Sequence, residues 1–301
     1  MERKKILVTG ASGQLGSELK AASSGYGGSD FVFLSRQDLP LDAPASQFQA
    51  ILERARPDWC INCAAYTAVD KAETESDLAR LLNGEAVGRL AEACRSFSAR
   101  LIHLSTDYVF DGQSSRPLTE KDPTNPINVY GASKLLGEQL ALRNNDATLI
   151  LRTSWVYSSF GHNFVKTMMR LMREKESIRV VDDQVGSPTY AADLAGAILQ
   201  IIHGPGPGGT DSTPFIPGIY HYSNEGEISW HEFALAIKEL TGSLCQIDPV
   251  PSSGYPTPAK RPPFSLLDKT LIQKTYGIRI PLWRDSLRLC IDRLLSSSRP
   301  F

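Results

Sequence analysis

A glycine-rich turn between a short strand and a helix is the feature that most constrains the fold of this chain. Residues 5–8 form an apolar run that predicts a strand, and residues 14–22 are compatible with a helix. The turn between them carries Gly10, Gly13 and Gly16. Glycines permit a tight turn there and let backbone N–H groups approach a pyrophosphate at the helix N-terminus. This context favours a dinucleotide site over a merely structural turn.

The rest of the first half alternates predicted strands with predicted helices. Further strands are expected at residues 31–34, 60–64, 101–105 and 148–152, and helices at residues 45–55, 74–97 and 130–142. Repeats of this kind require parallel strands joined by right-handed crossovers. We therefore predict an α/β fold of the Rossmann type, a doubly wound parallel sheet with helices on both faces.

The second half is less regular and richer in proline. A chain of 301 residues is long enough for about two domains. We expect residues 1–155 to form mainly a dinucleotide-binding domain and residues 156–301 mainly a smaller, interleaved substrate-binding part. Within that part, the Gly/Pro-rich stretch 203–218 is predicted to be a surface loop, residues 220–222 a strand and residues 229–240 an amphipathic helix.

Charge and cysteine content narrow the range of partners. Lys and Arg number 32 against 33 Asp and Glu, so the net charge of -1 offers no field for nucleic acid or an anionic membrane. No apolar run approaches the ~20 residues of a membrane span, and the N-terminus shows no signal-peptide core. The five cysteines are odd in number, and Cys60 and Cys63 fall in a predicted buried strand, which favours core thiols over a redox or zinc pair. We expect a cytoplasmic protein that binds a small ligand.

A tyrosine and a lysine four residues apart on a predicted helix suggest proton transfer. Tyr130 and Lys134 share one helix face, where a cation stabilises a phenolate whose ordinary pKa is ~10. Alone, the pair is equally compatible with a solvated helix face. Residues 105–107 add hydroxyl groups at the carboxyl end of a predicted strand, where ligands bind in doubly wound sheets. The glycine turn, the strand-end hydroxyls and the Tyr–Lys pair together are hard to explain as independent accidents.

Several longer motifs carry a family resemblance. They are NCAAYTAVDKAE (62–73), STDYVFDG (105–112), NVYG (128–131), RTSWVY (152–157), DQVGSPT (183–189) and YPTPAKRP (255–262). With the G-x-x-G-x-x-G turn, they make the chain similar to the dTDP-4-dehydrorhamnose reductase family of the extended short-chain dehydrogenase/reductase superfamily. The resemblance covers nearly the whole chain. It departs at Cys63, where the family more often has Ala, and in the loop 203–218, which looks longer than usual.

The resemblance implies a reaction and a catalytic trio. Members of this family transfer hydride from NADPH or NADH to the C4 keto group of dTDP-4-dehydro-L-rhamnose, which gives dTDP-L-rhamnose. The trio maps onto Thr106, Tyr130 and Lys134. Tyr130 is then the proton donor, Thr106 a hydrogen-bond donor to the carbonyl oxygen, and Lys134 the partner of the nicotinamide ribose and of Tyr130.

The turn, the strand ends and the resemblance together define the expected binding residues. Cofactor contacts are expected from Gly10, Ser12, Gly13, Gln14, Leu15, Gly16, Ser35, Arg36, Asp42, Ala64, Ala65, Tyr66, Tyr130 and Lys134. Substrate contacts are expected from Thr67, Val69, Thr106, Asp107, Tyr108, Trp155, Asn163 and Arg261. Trp155 is equally compatible with a core position, and Arg261 either binds the substrate diphosphate or lies solvated at the surface.

The end of the second strand predicts the cofactor preference. It carries Ser35 and Arg36 and no carboxylate at its tip, which suits the 2′-phosphate of NADPH. The nearby Asp38 is an alternative partner for the 2′-hydroxyl of NADH, and Asp42 contacts the adenine by its place in the family pattern. We expect a modest preference for NADPH, with NADH possible.

Alternatives remain at this stage for the reaction and the assembly. A nucleotide-sugar epimerase or dehydratase shares the same motifs, and a relative of the family is a non-catalytic regulatory subunit. Some family members bind a divalent cation through glutamates at a dimer interface, and Glu18 is one candidate ligand. No acidic cluster is evident near the other expected positions, so we predict no metal requirement. Whether the chain forms a homodimer stays open.

Overall fold

A computed structural model of the protein describes residues 3–204 and 214–297, so residues 205–213 of the predicted loop lie outside the described residues. The strands are β1 (Lys4–Thr9), β2 (Ser29–Leu34), β3 (Trp59–Asn62), β4 (Arg100–Thr106), β5 (Thr148–Thr153), β6 (Val156–Tyr157), β7 (Ser177–Val181), β8 (Val185–Gly186), β9 (Thr189–Tyr190), β10 (Gly218–His221), β11 (Ile228–Ser229) and β12 (Gln246–Val250). The α-helices are α1 (Gln14–Ala22), α2 (Ala45–Ala55), α3 (Val69–Ala72), α4 (Ser76–Arg80), α5 (Ala86–Ser96), α6 (Val129–Asn144), α7 (Phe164–Glu174), α8 (Ala191–His203), α9 (Trp230–Thr241), α10 (Thr270–Tyr276) and α11 (Trp283–Ser297).

Six of the twelve described strands form one large parallel sheet in the order β10-β5-β4-β3-β1-β2, and the other six form three two-stranded sheets. Every residue of the inner strands β3 and β5 of the large sheet is buried, because both faces of this sheet are covered. From β1 the chain crosses to β2 on one side and then returns to β3 on the other side. The carboxyl ends of β1 and β3 therefore flank a topological switch point, where doubly wound folds bind ligands. The predicted α/β class is confirmed.

Helices pack on both faces of this sheet. On one face, α1 and α8 bury apolar side chains such as Leu19 and Ile198 against the strands. On the other face, α2, α5 and α6 enclose a second core that includes Phe48, Leu52 and Leu90. The amphipathic faces of the helices thus fix the sheet between two apolar layers.

Two elements differ from the sequence prediction. The strand expected at residues 220–222 belongs to the large sheet, where β10 pairs with β5, rather than to the smaller part of the molecule. The helix expected over residues 74–97 is interrupted by a π-helical turn at Leu81–Glu85. A Cβ on Gly137 of α6 would lie 2.1 Å from the Asn83 carbonyl oxygen, so the backbones of the π-helical turn and α6 touch there. The spacing of apolar residues along the chain does not reveal such a contact between two helices, so it could not predict the π-helical turn.

A smaller core lies outside the large sheet. It is formed by α7, α9 and α11 around the parallel pair β7 and β12, with Phe233 and Ile237 fully buried. The predicted helix over residues 229–240 is present as α9, with Ser229 and Glu232 forming a capping box. In residues 3–204 and 214–297, no helix is long and apolar enough to cross a membrane.

Candidate active site

A cavity of about 550 Å³ opens at the switch point, and we call it the first cleft. It is lined by residues that follow the ends of β1, β2, β3, β4 and β5 and by the start of α6. Its lining comprises Gly10, Ser12, Gly13, Gln14, Leu15, Arg36, Leu39, Leu41, Asp42, Cys63, Ala64, Ala65, Tyr66, Thr67, Leu82, Leu104, Ser105, Tyr130, Lys134, Thr153, Val156, Gly161, His162 and Leu194. Twelve of the fourteen expected cofactor residues line it, and Gly16 and Ser35 do not.

Gly10 and Gly16 of the turn lie where a side chain would collide with neighbouring backbone. Gly10 adopts φ +66°, and a Cβ there would lie 2.6 Å from the backbone nitrogen of Ala64. A Cβ on Gly16 would lie 2.4 Å from the Gly10 carbonyl oxygen, so this glycine packs helix α1 against the turn instead of lining the cleft. The backbone of the turn can therefore approach a bound pyrophosphate closely, beside the N-terminus of α1.

After the end of β2, Arg36 lines the first cleft, whereas Ser35 and Asp38 do not. Arg36 lines the cleft together with Asp42. The backbone N–H and the hydroxyl of Ser35 both donate to Asp38 Oδ2, at 2.8 Å and 2.7 Å. These bonds lower the pKa of the Asp38 carboxyl. The hydroxyl of Ser35 is thus engaged locally, whereas the Arg36 side chain lines the cleft, where an anionic ligand would meet it.

Tyr130 and Lys134 share the first cleft, one turn apart on α6, as predicted. Lys134 is 2% exposed, and its Nζ donates to the Leu104 carbonyl oxygen at 2.6 Å. Burial lowers the pKa of Lys134 to about 8. Burial, with the nearby Asp107 carboxylate, raises the pKa of Tyr130 to about 12. The expected lowering of the Tyr130 pKa by the lysine is therefore wrong for the protein alone, because burial and the Asp107 carboxylate both favour the neutral phenol.

Thr106 lies at the end of β4, beside Tyr130. Its hydroxyl donates to Asp107 Oδ1 at 3.0 Å and accepts from the Tyr108 backbone N–H at 3.2 Å. A hydrogen bond with Thr106 also opposes the rise of the Tyr130 pKa. Asp107 is 2% exposed, and burial raises its pKa to about 6. The ring of Tyr108 packs edge-on against Tyr130, with centroids 5.8 Å apart.

A second cavity, of about 730 Å³, is called here the second cleft. Its lining comprises Tyr108, Ile127, Phe164, Thr167, Met168, Leu171, Arg179, Val180, Val181, Gln184, Trp230, Ser252, Ser253, Tyr255, Pro256, Thr257, Ala259, Lys260 and Arg261. Arg261 donates from Nη2 to Asp70 Oδ2 at 2.9 Å and from Nη1 to the Ala259 carbonyl oxygen at 3.0 Å. Because Tyr108 lines the second cleft and touches Tyr130 of the first, the two clefts meet at this pair of tyrosines.

Comparison with known proteins identifies the family. The RmlD substrate binding domain family matches residues 4–296. The dTDP-4-dehydrorhamnose reductase of Burkholderia thailandensis is 42% identical over 300 residues, which cover 97% of this chain and 99% of that protein. The chain belongs to the dTDP-4-dehydrorhamnose reductase family. A spore coat polysaccharide biosynthesis protein of Bacillus subtilis is 41% identical over 94% of this chain and 95% of its own length.

Solved structures of this family share the fold. The dTDP-4-dehydrorhamnose reductase of Clostridium acetobutylicum is 38% identical, with a TM-score of 0.90 over 96% of this chain and 99% of that chain. The Bacillus anthracis enzyme, solved in complex with NADP, is 36% identical, with a TM-score of 0.90 over 97% of this chain and 99% of its own. The family resemblance found in the sequence is confirmed.

Five of the eight residues expected to contact the substrate line neither cleft in the described part of the chain: Val69, Thr106, Asp107, Trp155 and Asn163. The Trp155 ring stacks on Trp230, with centroids 3.7 Å apart, and thus supports a wall of the second cleft from behind. Asn163 caps α7, since its Oδ1 accepts from the Lys166 backbone N–H at 3.1 Å. Thr67 lines the first cleft.

Sequence reasoning missed two further residues of the site. Cys63 was expected in the core, but β3 ends at Asn62 and the half-buried Cys63 lines the first cleft. Its place directly after a strand was a usable signal. Asp70, the partner of Arg261, lies 191 residues away in the chain, so no local pattern links them.

The candidate metal ligand Glu18 is engaged by protein groups. Its carboxylate accepts from the Ser158 hydroxyl at 2.7 Å and from Arg293 Nη1 at 3.2 Å, and its side chain is 2% exposed. Among the described residues, no group of three or more His, Cys, Asp or Glu side chains could hold a metal ion. That catalysis needs no metal stays a prediction.

Proposed function

We propose that this chain reduces the C4 keto group of dTDP-4-dehydro-L-rhamnose to dTDP-L-rhamnose, with NADPH as the preferred hydride donor and NADH as a possible one. The observation that carries the proposal is the meeting of the two clefts at Tyr108 and Tyr130. A phenol at this junction can protonate a carbonyl oxygen that enters from the second cleft. Family membership favours this substrate over other keto sugars.

The first cleft fits the cofactor. The backbone of the glycine turn, beside the N-terminus of α1, would hold a pyrophosphate, and Arg36 supplies a guanidinium for a 2′-phosphate while Asp38 is bonded to Ser35. Asp42 would contact the adenine, and residues 64–66 would line the path toward Lys134. NADPH, when bound, supplies the hydride for the substrate carbon.

The chain's own residues would then handle the proton. With its pKa raised to about 12, Tyr130 keeps its phenolic proton throughout the neutral pH range, which suits a general acid. The Thr106 hydroxyl stabilises the negative charge that develops on the substrate oxygen. Lys134, with its pKa lowered to about 8, would bind the ribose and return a proton to the Tyr130 phenolate. Each step needs only groups that already line or border the first cleft.

The second cleft would hold the sugar nucleotide. Arg261 offers a planar donor array to the diphosphate, and Asp70 fixes its orientation. The remaining substrate contacts are proposed for Thr67, Val69, Asp107 and Tyr108, with Trp155 and Asn163 acting through the wall behind them. The smaller core around α7, α9 and α11 supports a mainly substrate-binding part within residues 156–301, interleaved with the mainly dinucleotide-binding domain over residues 1–155, because β10 joins the large sheet.

We also propose that the chain forms a homodimer in a reducing, cytoplasmic environment. Helix α11 exposes Leu289 and Leu295, which are 57% and 44% accessible, and a second copy would cover them. The five cysteines are all free thiols. Light scattering after size-exclusion chromatography tests the assembly, and a mass of a single chain at micromolar concentration would exclude the dimer.

The experiment that tests the reaction follows NADPH absorbance with enzymatically made dTDP-4-dehydro-L-rhamnose. We expect one NADPH oxidised for each dTDP-L-rhamnose formed. An epimerase or dehydratase would change the sugar without net consumption of cofactor, and a regulatory subunit would change neither. The UDP-glucose 4-epimerase of Thermus thermophilus, solved with NAD, is 21% identical with a TM-score of 0.79, so it shares the fold alone.

A further inference from the structure

A row of buried polar side chains crosses three neighbouring strands and ends at Lys134. Thr9 of β1 is the register partner of Asn62 of β3, and Asn62 is the register partner of His103 of β4. Each is at most 1% exposed. Apolar residues would be expected at such central positions of a parallel sheet, so a continuous polar row there needs a reason.

The hydrogen bonds of Asn62 fix the orientation of its amide. Its Oδ1 accepts from the Thr9 hydroxyl at 2.6 Å and from the Ala64 backbone N–H at 3.3 Å. The Nδ2 group therefore faces His103, 3.0 Å from Nδ1. An amide nitrogen only donates, so Nδ1 of His103 must accept. Burial and the neighbouring Lys134 charge lower the pKa of His103 well below its usual range, so the ring is neutral and carries its proton on Nε2.

This Nε2–H group faces the lysine. Nε2 of His103 lies 3.5 Å from Nζ of Lys134, whose other close partner is the Leu104 carbonyl oxygen. An ammonium group presents only N–H donors to the imidazole N–H, whereas an uncharged amine offers a lone pair that accepts from it. The fixed tautomer of His103 thus favours the uncharged amine of Lys134.

We propose that His103, oriented by Asn62 and Thr9, is a positioning residue that stabilises the amine left on Lys134 after this lysine returns a proton to Tyr130. In that step an N–H bond of the Lys134 ammonium breaks, an O–H bond forms on the Tyr130 phenolate, and the electron pair stays on Nζ to accept from His103. The proposal rests on the proposed function only for the role of Lys134 in proton transfer.

The other titratable groups around Lys134 also affect its protonation. Glu138, one turn further along α6, raises the pKa of Lys134, but Arg152 holds its carboxylate in a buried pair with a 2.7 Å bond. Burial raises the pKa of the Cys63 thiol, so this side chain stays protonated beside the lysine. Tyr130 is neutral for the same reason. The contact with His103 is therefore a polar interaction with Lys134 that selects its uncharged form.

The first test observes the tautomer directly. In protein labelled with 15N-histidine, long-range 1H–15N correlation spectra distinguish the two neutral tautomers, and the signals of His103 are assigned by their loss in a His103→Gln variant. We expect a neutral ring with its proton on Nε2 that does not titrate between pH 5.5 and 8. A proton on Nδ1, or a charged ring at pH 7, would overturn the proposal. This measurement needs neither cofactor nor substrate.

The second test reverses the tautomer. In Asn62→Asp, the Thr9 hydroxyl and the Ala64 N–H stabilise an ionised carboxylate, which accepts from Nδ1–H of His103. Nε2 then accepts from the Lys134 ammonium. We expect the Lys134 titration, followed by 13Cε chemical shift and assigned with Lys134→Arg, to move up by about one pH unit or more. The control Thr9→Val removes one bond of Asn62 but keeps its amide oriented by Ala64, so the titration should stay in place.

The Lys134 titration distinguishes the proposed role of His103 from a polar row that only supports packing. Because the new carboxylate raises the Lys134 pKa by its charge alone, the same Asn62→Asp substitution made in the His103→Gln variant gives the purely coulombic shift. An equal shift of the Lys134 titration with and without His103 would contradict the proposal. If the titration moves as expected but NADPH is not oxidised in the activity assay, the proposed function fails while the tautomer assignment stands.

Discussion

The first cleft is lined by residues that directly follow the ends of parallel strands, whereas the second cleft is lined by side chains from α7, α9, β7 and an extended, proline-rich segment. In the first, the backbone of the glycine turn lines the cavity directly. In the second, long side chains such as Arg261 line the cavity, and Arg261 is held by Asp70, a partner far away in the chain. A backbone-lined site tolerates few sequences and keeps its motif, while a side-chain-lined site can change its specificity with single substitutions.

The junction of the two clefts should show the largest effect. Tyr130→Phe removes the proton donor but keeps the ring that packs against Tyr108. We expect kcat to fall by at least ~100-fold, the usual scale for a general acid, with NADPH binding retained. Steady-state kinetics and a fluorescence titration with NADPH check the two parts. Near-normal turnover would remove Tyr130 from the mechanism.

Arg261→Ala should weaken binding of the sugar nucleotide in the second cleft and leave cofactor binding unchanged. Loss of the guanidinium should raise the KM for the sugar nucleotide by roughly 10- to 100-fold and leave the KM for NADPH unchanged, because charged hydrogen bonds to phosphate are worth about 1.5–3 kcal/mol. Arg261→Lys should restore little, since it loses the planar donor array. Lys260→Ala is the matched control for charge at the neighbouring residue and should have a smaller effect. Equal losses for both alanine variants would indicate a general electrostatic attraction instead.

Arg36→Ala should weaken binding of NADPH in the first cleft. The KM for NADPH should rise about tenfold, which corresponds to ~1.4 kcal/mol, because an exposed phosphate contact is screened by water and salt. The same variant measured with NADH is the internal control and should be nearly unchanged. A wild type that prefers NADH, or equal rises for both cofactors, would refute the assignment of Arg36.

Removal of divalent cations should have the smallest effect. The mechanism proposed for Tyr130 and Thr106 needs no Lewis acid, and the carboxylate of Glu18 is bonded to Ser158 and Arg293. Dialysis against EDTA should leave kcat and both KM values within error. A large loss of activity that magnesium reverses would show that the reaction or the assembly needs the ion.

The contrast between the clefts also explains what the sequence could predict. The glycine turn, Arg36, the strand-end hydroxyls and the Tyr130–Lys134 pair follow from strand ends and helical spacing, and the structure brings them to one edge of the sheet. The π-helical turn at Leu81–Glu85 was not predictable, because it depends on a close contact with Gly137 of another helix.

Other features could not be predicted from the sequence because they depend on contacts between residues far apart in the chain. The pairing of β10 with β5 and of Asp70 with Arg261 joins segments that no local pattern relates. The raised pKa of Tyr130 follows from burial, which helical spacing alone does not reveal. The positions of the second cleft were accessible only through family resemblance, and the structure gives Trp155 and Asn163 supporting contacts there.

The most direct test of the account is a crystal structure of the Tyr130→Phe variant with NADPH and dTDP-4-dehydro-L-rhamnose, which this variant should turn over too slowly to consume. We predict the dinucleotide in the first cleft with its 2′-phosphate at Arg36. The diphosphate of the sugar nucleotide should contact Arg261 in the second cleft, and the keto oxygen should lie within hydrogen-bond distance of the Thr106 hydroxyl. A sugar nucleotide bound away from Arg261, or a keto group remote from Thr106, would contradict the claim that the two clefts meet at the reacting carbonyl.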